Sequence, residues 1–134
     1  RPEGSMFLSG GVPVPDVAVS PTDHDVAYNE FEEQIWPNMA HRIPQFEAIR
    51  QENCWAGHYD YNVLDHNAIV GPHDEVKNFY FANGFSGHGL QQSPAVGRAL
   101  SELLIYGQFK TLDLSPLGYG RVARNEPFLE KAVI

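Results

Sequence analysis

The chain has 134 residues, a net charge of −8 and a single cysteine, Cys54. The excess of acidic residues argues against nucleic acid and anionic membranes as partners, because both bind clustered lysine and arginine. One cysteine excludes an internal disulfide framework, and the sequence has no apolar run of membrane-spanning length. With 43% hydrophobic and 12% aromatic residues, the composition is that of a folded domain.

The first third of the chain predicts one short strand and two helical segments. Residues 5–9 form the strand candidate, and the proline-containing residues 12–23 follow as a loop. A helix is expected over residues 26–40, with a kink or a break at Pro37. A shorter helical piece follows Pro44. The apolar residues that recur at helical spacing in the longer helix are Val26, Phe31, Ile35 and Met39.

The middle of the chain predicts three strands. A long strand is expected over residues 52–62, and a polar turn over residues 62–67 separates it from a short strand at residues 68–70. Asp65 is expected to be solvated in that turn. A third strand is expected over residues 76–82, so that the strands form pieces of antiparallel sheet. With the helices beside them, the predicted fold class is α+β.

A strongly amphipathic helix is expected after residue 92. Ser93 suits its N-cap, Pro94 suits its first position and Gly107 suits its C-terminal cap. Gly97 lies inside this helix, where glycine is unfavourable, and therefore predicts a close approach to a sheet or a cofactor. The apolar stripe of the helix consists of Ala95, Val96, Ala99, Leu100, Leu103 and Leu104.

Between the third strand and this helix lies a glycine-rich segment, residues 84–89 (GFSGHG). Glycines accept positive φ and leave the backbone accessible, and a helix start offers unpaired N–H groups to an electron-rich ligand. The spacing is G-x-x-G-x-G and differs from the G-x-G-x-x-G of dinucleotide-binding turns. Spacing alone leaves a cofactor site and a plain tight turn equally open.

Residues 84–89, together with residues 93–99 (SPAVGRA), resemble the C-terminal flavin segment of the D-amino-acid oxidase superfamily, most closely its glycine and sarcosine oxidase-like branch. The similarity extends to residues 55–62 (WAGHYDYN), 70–73 (VGPH) and 107–116 (GQFKTLDLSP). It implies the C-terminal part of a two-domain FAD-dependent oxidoreductase. The antiparallel sheet of a substrate domain would lie in residues 1–75. The strand, loop and helix that close the FAD domain would lie in residues 76–134.

The resemblance also implies which residues bind ligands, although it identifies no catalytic residue. Tyr59 and Gln91 are expected at the substrate, where Tyr59 could equally be an ordinary strand aromatic. Gln91 stands where related enzymes commonly carry a lysine, which makes the substrate uncertain. Gly57 replaces the cysteine that binds FAD covalently in some relatives, so non-covalent FAD is expected. The residues expected at FAD are Gly84, Phe85, Ser86, Gly87, His88, Gly89, Leu90 and Gln91.

The implied function is oxidation of an amine or amino-acid C–N bond by hydride transfer to flavin. The alternative is a non-catalytic, flavoprotein-like assembly factor for a respiratory complex. We expect the chain to be a piece of a longer protein whose N-terminal dinucleotide-binding half it lacks, so that it is inactive alone and can self-associate through an exposed face. The histidines show no metal-ligand spacing, and no metal is expected. The expected compartment is the cytoplasm in a bacterium, with the mitochondrial matrix as the alternative.

Overall fold

The computed structural model describes residues 2–131, which form two compact units. The first unit ends at His58 and the second begins at Tyr59. Two short antiparallel sheets and a few helices make up the described chain, which confirms the predicted α+β class. The proposed division into a substrate domain and an FAD-domain segment stays a prediction. Among residues 2–131, no helix has the length and apolar character needed to cross a membrane.

The first unit begins with a two-stranded hairpin. Strand β1 (Pro2–Glu3) pairs antiparallel with strand β2 (Met6–Phe7), with Pro2 opposite Phe7. The strand predicted at residues 5–9 is therefore present over two of its five residues, Met6 and Phe7. The ring of Phe7 lies 4.6 Å from that of Phe46, which connects the hairpin to a short 3-10 helix, Pro44–Ala48.

A widened helical turn precedes helix α1 of the first unit. Residues Phe31–Ile35 form a π-helical segment that continues into α1 (Trp36–Arg42). The Trp36 N–H donates to the Phe31 carbonyl, five residues back, just before Pro37. Proline lacks an N–H and collides with the carbonyl four residues earlier, so a wider turn accommodates it within a continuous helix. Pro37 thus widens the helix, which begins later than the predicted residue 26.

The second unit is built from a hairpin and a long helix. Strands β3 (Ile69–Pro72) and β4 (Tyr80–Asn83) pair antiparallel. Helix α2 (Gly89–Tyr106) packs its buried face towards β3, and a short helix α3 (Tyr119–Ala123) contacts the same strand. The buried apolar residues of the described chain all lie in this unit and are Ala68, Val70, Val96, Ala99 and Leu114.

Two predicted strands differ from the structure. Residues 52–62, all described, form no strand. At their C-terminal end the Asp60 carbonyl accepts from the Ser86 N–H and the Asn62 N–H donates to the Ser86 hydroxyl, so this part pairs with a loop and not with a strand. The strand predicted over residues 76–82 is confined to its C-terminal part. Nδ1 of His73 accepts from the backbone N–H groups of Glu75 (3.0 Å) and Val76 (3.1 Å), which fixes a turn at the start of the predicted strand.

Helix α2 starts earlier than predicted. His88, and not Ser93, occupies the N-cap, so that Pro94 lies inside the helix. Pro94 cannot donate to the Leu90 carbonyl, and the Ser93 hydroxyl donates to that carbonyl instead, at 2.9 Å. The predicted cap at Gly107 is confirmed, with φ at 69°. The close approach to a sheet predicted at Gly97 is wrong for the described residues, because a Cβ placed there meets no atom within 4 Å.

A buried ion pair holds the second unit together. Asp65 was expected in a solvated turn, but it is 0% exposed and pairs with the 6% exposed Arg121. Nε of Arg121 lies 2.6 Å from one carboxylate oxygen and Nη2 lies 3.1 Å from the other. Nη2 also donates to the carbonyls of Asn67 and Ala68, and Nη1 to that of Leu117. This set of hydrogen bonds offsets the cost of removing both charges from water.

The protonation of Asp65 reflects the same contacts. Burial alone would raise the pKa of Asp65, but hydrogen bonds from Arg121 and from the backbone N–H groups of Phe128 and Asn67 outweigh it. The pKa is therefore lowered below its ordinary value, and the carboxylate stays ionised. Asp65 and Arg121 together connect the turn before β3 with helix α3.

A second carboxylate connects helix α2 with the segment that follows it. Glu102 is 7% exposed and accepts from the Thr111 hydroxyl and from the backbone N–H groups of Lys110 (2.8 Å) and Thr111 (3.0 Å). The Thr111 hydroxyl and the Lys110 N–H are the main causes that lower the pKa of Glu102 to about 2. Glu102 therefore acts as an acceptor for a loop whose N–H groups would otherwise lack partners.

Candidate functional site

The glycine-rich loop connects β4 with α2 through a series of left-handed backbone positions. Gly84 has φ at 72°, Ser86 at 48° and Gly87 at 90°. Glycine occupies such positions without strain, whereas Ser86 needs surrounding contacts to hold it there. The loop therefore has one defined path from the strand to the helix, set by two glycines and one fixed serine.

Residues 60–62 form hydrogen bonds with this loop. The Asp60 carboxylate accepts from the Gly84 N–H, and the Asp60 carbonyl accepts from the Ser86 N–H at 3.0 Å. The Ser86 hydroxyl accepts from the Asn62 N–H at 3.0 Å, and Ser86 is 0% exposed. Both sides of Phe85 are thus anchored to the same short segment, which fixes the loop independently of any ligand.

The loop ends at the start of α2. The His88 N–H donates to the Phe85 carbonyl at 3.0 Å, and the Gln92 N–H closes the first helical turn on the His88 carbonyl at 3.1 Å. Within the described chain, no side chain caps this helix start. The N–H groups of Gly89, Leu90 and Gln91 therefore have no partner inside the helix and carry the positive end of its dipole.

This helix start fits the electron-rich pyrimidine edge of a flavin. That edge gains negative charge when the ring is reduced, and uncapped N–H groups at a helix start stabilise such charge without a charged side chain. Leu90 is 88% exposed, so the described chain leaves its side chain in the first turn uncovered. The residues present are compatible with FAD in charge and in accessibility.

Gly89 is limited by space. A Cβ placed there would lie 3.4 Å from both Cβ and Cγ of Phe85, while φ at Gly89 is not positive. A larger side chain would therefore press against the Phe85 ring. Gly84 combines the two restrictions, because its φ is positive and a Cβ would lie 3.3 Å from the Cβ of Asn62.

The remaining predicted site residues lie in different surroundings. Tyr59 is half-buried and directly precedes Asp60, and its ring centroid lies 6.2 Å from that of Tyr61. Gln91 is exposed in the first turn of α2, and His88 is half-buried at its N-cap. The segment of Tyr59 and the glycine loop are therefore brought together through Asp60. The binding roles of these residues stay predictions.

Sequence reasoning missed the residues that support the loop. Asp60 and Asn62 lay within a predicted strand, where alternating polar and aromatic residues gave no reason to expect loop contacts. The buried position of Glu102 could have been predicted. Glu102 lies three residues after Ala99 and next to Leu103, within the apolar stripe of α2. A carboxylate at such a position requires buried hydrogen-bond donors. Asp65 carried no comparable signal, because its partner Arg121 is 56 residues away.

Known proteins bear out the resemblance. The family model described as DAO, FAD dependent oxidoreductase, matches residues 1–103. The chain belongs to this FAD-dependent oxidoreductase family. FAD-dependent oxidoreductase domain-containing protein 1 of Xenopus laevis is 47% identical over 135 residues, which cover 98% of this chain and 26% of that protein. Its Drosophila melanogaster homolog is 49% identical over 100 residues, which cover 75% of this chain and 19% of the homolog.

The name of a more distant relative states an activity. Dimethylglycine dehydrogenase, mitochondrial, of Mus musculus is 38% identical over 55 residues, which cover 40% of this chain and 6% of that protein. The chain spans 26% of the length of the Xenopus relative and 27% of that of Bos taurus. No solved structure matches the chain.

Proposed function

We propose that this chain contributes the flavin-closing loop and helix of an enzyme that oxidises an amine or amino-acid C–N bond with FAD. The observation that carries the proposal is the anchored loop at residues 84–89, which leads into a helix start with no side-chain cap. Membership of the FAD-dependent oxidoreductase family supports the cofactor. The name of the mouse dimethylglycine dehydrogenase supports N-methylated amino acids as the substrate class.

The residues of this chain would act by positioning and by electrostatics. The chemistry that FAD would supply when bound is acceptance of a hydride from the substrate carbon attached to nitrogen, whose C–N bond thereby becomes a C=N bond. The N–H groups of Gly89, Leu90 and Gln91 would face the pyrimidine edge and stabilise its negative charge. The Tyr59 hydroxyl would donate to a substrate carboxylate, and the Gln91 amide would offer a neutral hydrogen bond beside it. FAD would be bound without a covalent bond.

A second candidate function rests on Gln91. Its side chain is neutral and exposed in the first turn of α2, so it offers no cationic anchor to a substrate carboxylate. A flavoprotein that assists assembly of a respiratory complex would need FAD for stability and no substrate anchor. The mitochondrial name of the mouse dehydrogenase favours the mitochondrial matrix as the compartment in either case.

The deciding experiment uses a protein of the relatives' full length that contains this chain. Its visible spectrum is recorded before and after acid precipitation, and N-methyl and D-amino acids are then screened for bleaching of the flavin band. Release of the flavin into the supernatant and bleaching by one substrate class support the enzyme. Releasable flavin without bleaching favours the assembly factor, and a colourless protein that FAD does not reconstitute contradicts both proposals.

A Gly89→Val variant tests the loop within the same experiment. A Cβ at residue 89 would already lie 3.4 Å from Phe85, so the methyl groups of valine should crowd that ring, and we expect a lower flavin content than in the parent protein. Gly10→Val is the control, since a Cβ at Gly10 meets no atom within 4 Å and the residue lies outside the loop and α2. Equal flavin content in the Gly89→Val variant and its parent would show that the loop does not contribute to flavin binding.

A further inference from the structure

We infer that Asp60 is a positioning residue that fixes the glycine loop relative to Tyr59. The inference rests on the proposed function, because it concerns the loop and the tyrosine assigned to flavin and substrate. Asp60 bonds to the loop twice: its carboxylate accepts from the Gly84 N–H, and its carbonyl accepts from the Ser86 N–H at 3.0 Å. It is also the next residue after Tyr59 in the chain.

The two bonds lie on either side of the loop's first bend. Gly84 and Ser86 both have positive φ, so the chain leaves the extended path of β4 between them. A single partner that holds both N–H groups fixes the direction in which Phe85 and the following residues leave the strand. The start of α2 depends on that direction, because the His88 N–H bonds back to the Phe85 carbonyl.

Residues 60–62, which we call the clamp, have a second point of attachment at Asn62. Its N–H donates to the Ser86 hydroxyl at 3.0 Å, and its side-chain amide donates to the buried Asp65 carboxylate at 2.9 Å. Residues 60–62 are therefore fixed to the ion pair of the second unit as well as to the loop. A displacement of the Tyr59 backbone would also displace Asp60, and the two bonds from Asp60 to the loop oppose such a movement.

Substitutions of the Asp60 side chain can test its positioning role without a large loss of stability. Asp60 itself is exposed, so its replacement leaves no cavity in the core, and the bond from its backbone carbonyl to Ser86 does not depend on the side chain. Asn at this position keeps an oxygen that accepts from the Gly84 N–H, whereas Ala removes the acceptor. The two variants therefore differ in one contact to the loop.

The test compares Asp60→Ala, Asp60→Asn and the control Asp74→Ala in the full-length protein. Asp74 is exposed in the turn between β3 and β4, outside the loop and its anchors. Amide hydrogen exchange is measured on the flavin-free protein, and flavin dissociation constants are measured by titration. We expect Asp60→Ala to lower the protection of the Gly84 amide and to weaken flavin binding about tenfold. Asp60→Asn is expected to rescue both, and Asp74→Ala to leave both unchanged.

The outcomes separate the inference from the proposed function. If the parent protein binds no flavin, the proposed function fails, while exchange at Gly84 still reports on the clamp. If the parent binds flavin and Asp60→Ala binds it equally well, the positioning role is wrong and the flavin site stands. Equal losses in Asp60→Ala and Asp60→Asn would also overturn the inference, because the retained acceptor would then have no effect.

Discussion

Two glycines of this chain differ in what their positions tolerate, and the structure gives the φ and the surrounding space that decide it. Gly84 has positive φ and a crowded Cβ direction, 3.3 Å from Asn62, whereas Gly97 lies exposed inside α2 with open space around it. The first glycine is required by the backbone. The second carries only the entropic cost of glycine in a helix.

Alanine substitutions at these two glycines should therefore have opposite effects on stability. We expect Gly84→Ala to lower the free energy of unfolding by about 1–3 kcal/mol, because alanine is strained at this φ. Gly97→Ala should raise it by about 0.4–1 kcal/mol. Urea unfolding followed by circular dichroism measures both values. A stabilised Gly84→Ala variant would contradict the left-handed conformation of the loop.

Two arginines near the C-terminus of the described chain, Arg121 in helix α3 and Arg124 directly after it, differ in burial. Arg121 is buried with Asp65, whereas Arg124 pairs with Glu126 while about 62% exposed. We expect Arg121→Met to cost about 3–5 kcal/mol, since it leaves a buried carboxylate without its partner. Arg124→Met should cost less than about 1 kcal/mol, because exposed ion pairs contribute little. Chemical unfolding of the two variants checks the difference, and equal effects would show that burial of the pair is unimportant.

At the scale of elements, the Glu102 carboxylate of helix α2 accepts hydrogen bonds from the loop that follows the helix. Glu102 has a pKa of about 2 in the folded protein and an ordinary value of 4.5. A carboxylate with a lowered pKa contributes stability above its unfolded pKa and loses that contribution as the pH falls through the folded value. The contribution of Glu102 is therefore complete above about pH 4.5 and lost by about pH 2.

A Glu102→Gln variant should accordingly unfold with a shallower dependence on acid. Gln keeps an oxygen for the Lys110 and Thr111 N–H groups but does not titrate. Thermal unfolding midpoints between pH 5 and pH 2 should fall less steeply in this variant than in the parent, with Glu126→Gln as the exposed control. An unchanged slope in Glu102→Gln would assign the acid sensitivity to other carboxylates, of which Asp65 is the first to test.

The elements also mark the limit of what the sequence predicts. Local signals were sufficient for the C-terminal end of α2 at Gly107 and for the glycine loop. They failed at the N-terminal end of α2, where the Ser93 hydroxyl takes over a bond that Pro94 cannot make. They also failed for residues 52–62, which were predicted to form a strand, although Asp60 and Asn62 bond to the glycine loop. The second failure involves a partner distant in sequence, which a local pattern cannot show.

At the scale of the whole chain, the two units differ in burial. None of residues 2–58 is buried, whereas the second unit contains the apolar core and the Asp65–Arg121 pair. Met6 (57% exposed) and Phe7 (54% exposed) are examples of large apolar side chains in the first unit that face solvent. Since burial of apolar surface is the main source of stability, resistance to local opening should be concentrated after Tyr59.

Hydrogen exchange of this chain should reveal that difference directly. We expect the amides of α1 to exchange at least about tenfold faster than those of the buried face of α2, because so little burial opposes their opening. Exchange followed by mass spectrometry on peptides from both units gives the comparison. Equal protection in α1 and α2 would mean that the first unit is stabilised by contacts other than burial within it.

The Asp65–Arg121 pair also has a consequence for the order in which the second unit folds. The two residues are 56 positions apart, so the chain between them must be closed before their side chains meet. Hairpin β3–β4 and helix α2 both lie within that interval and can form from local contacts first. The pair would then close a structure that already exists, and its loss would accelerate unfolding while leaving the folding rate almost unchanged. In that sense Arg121 governs the lifetime of the native state, whereas the hairpin and α2 govern how quickly it is reached.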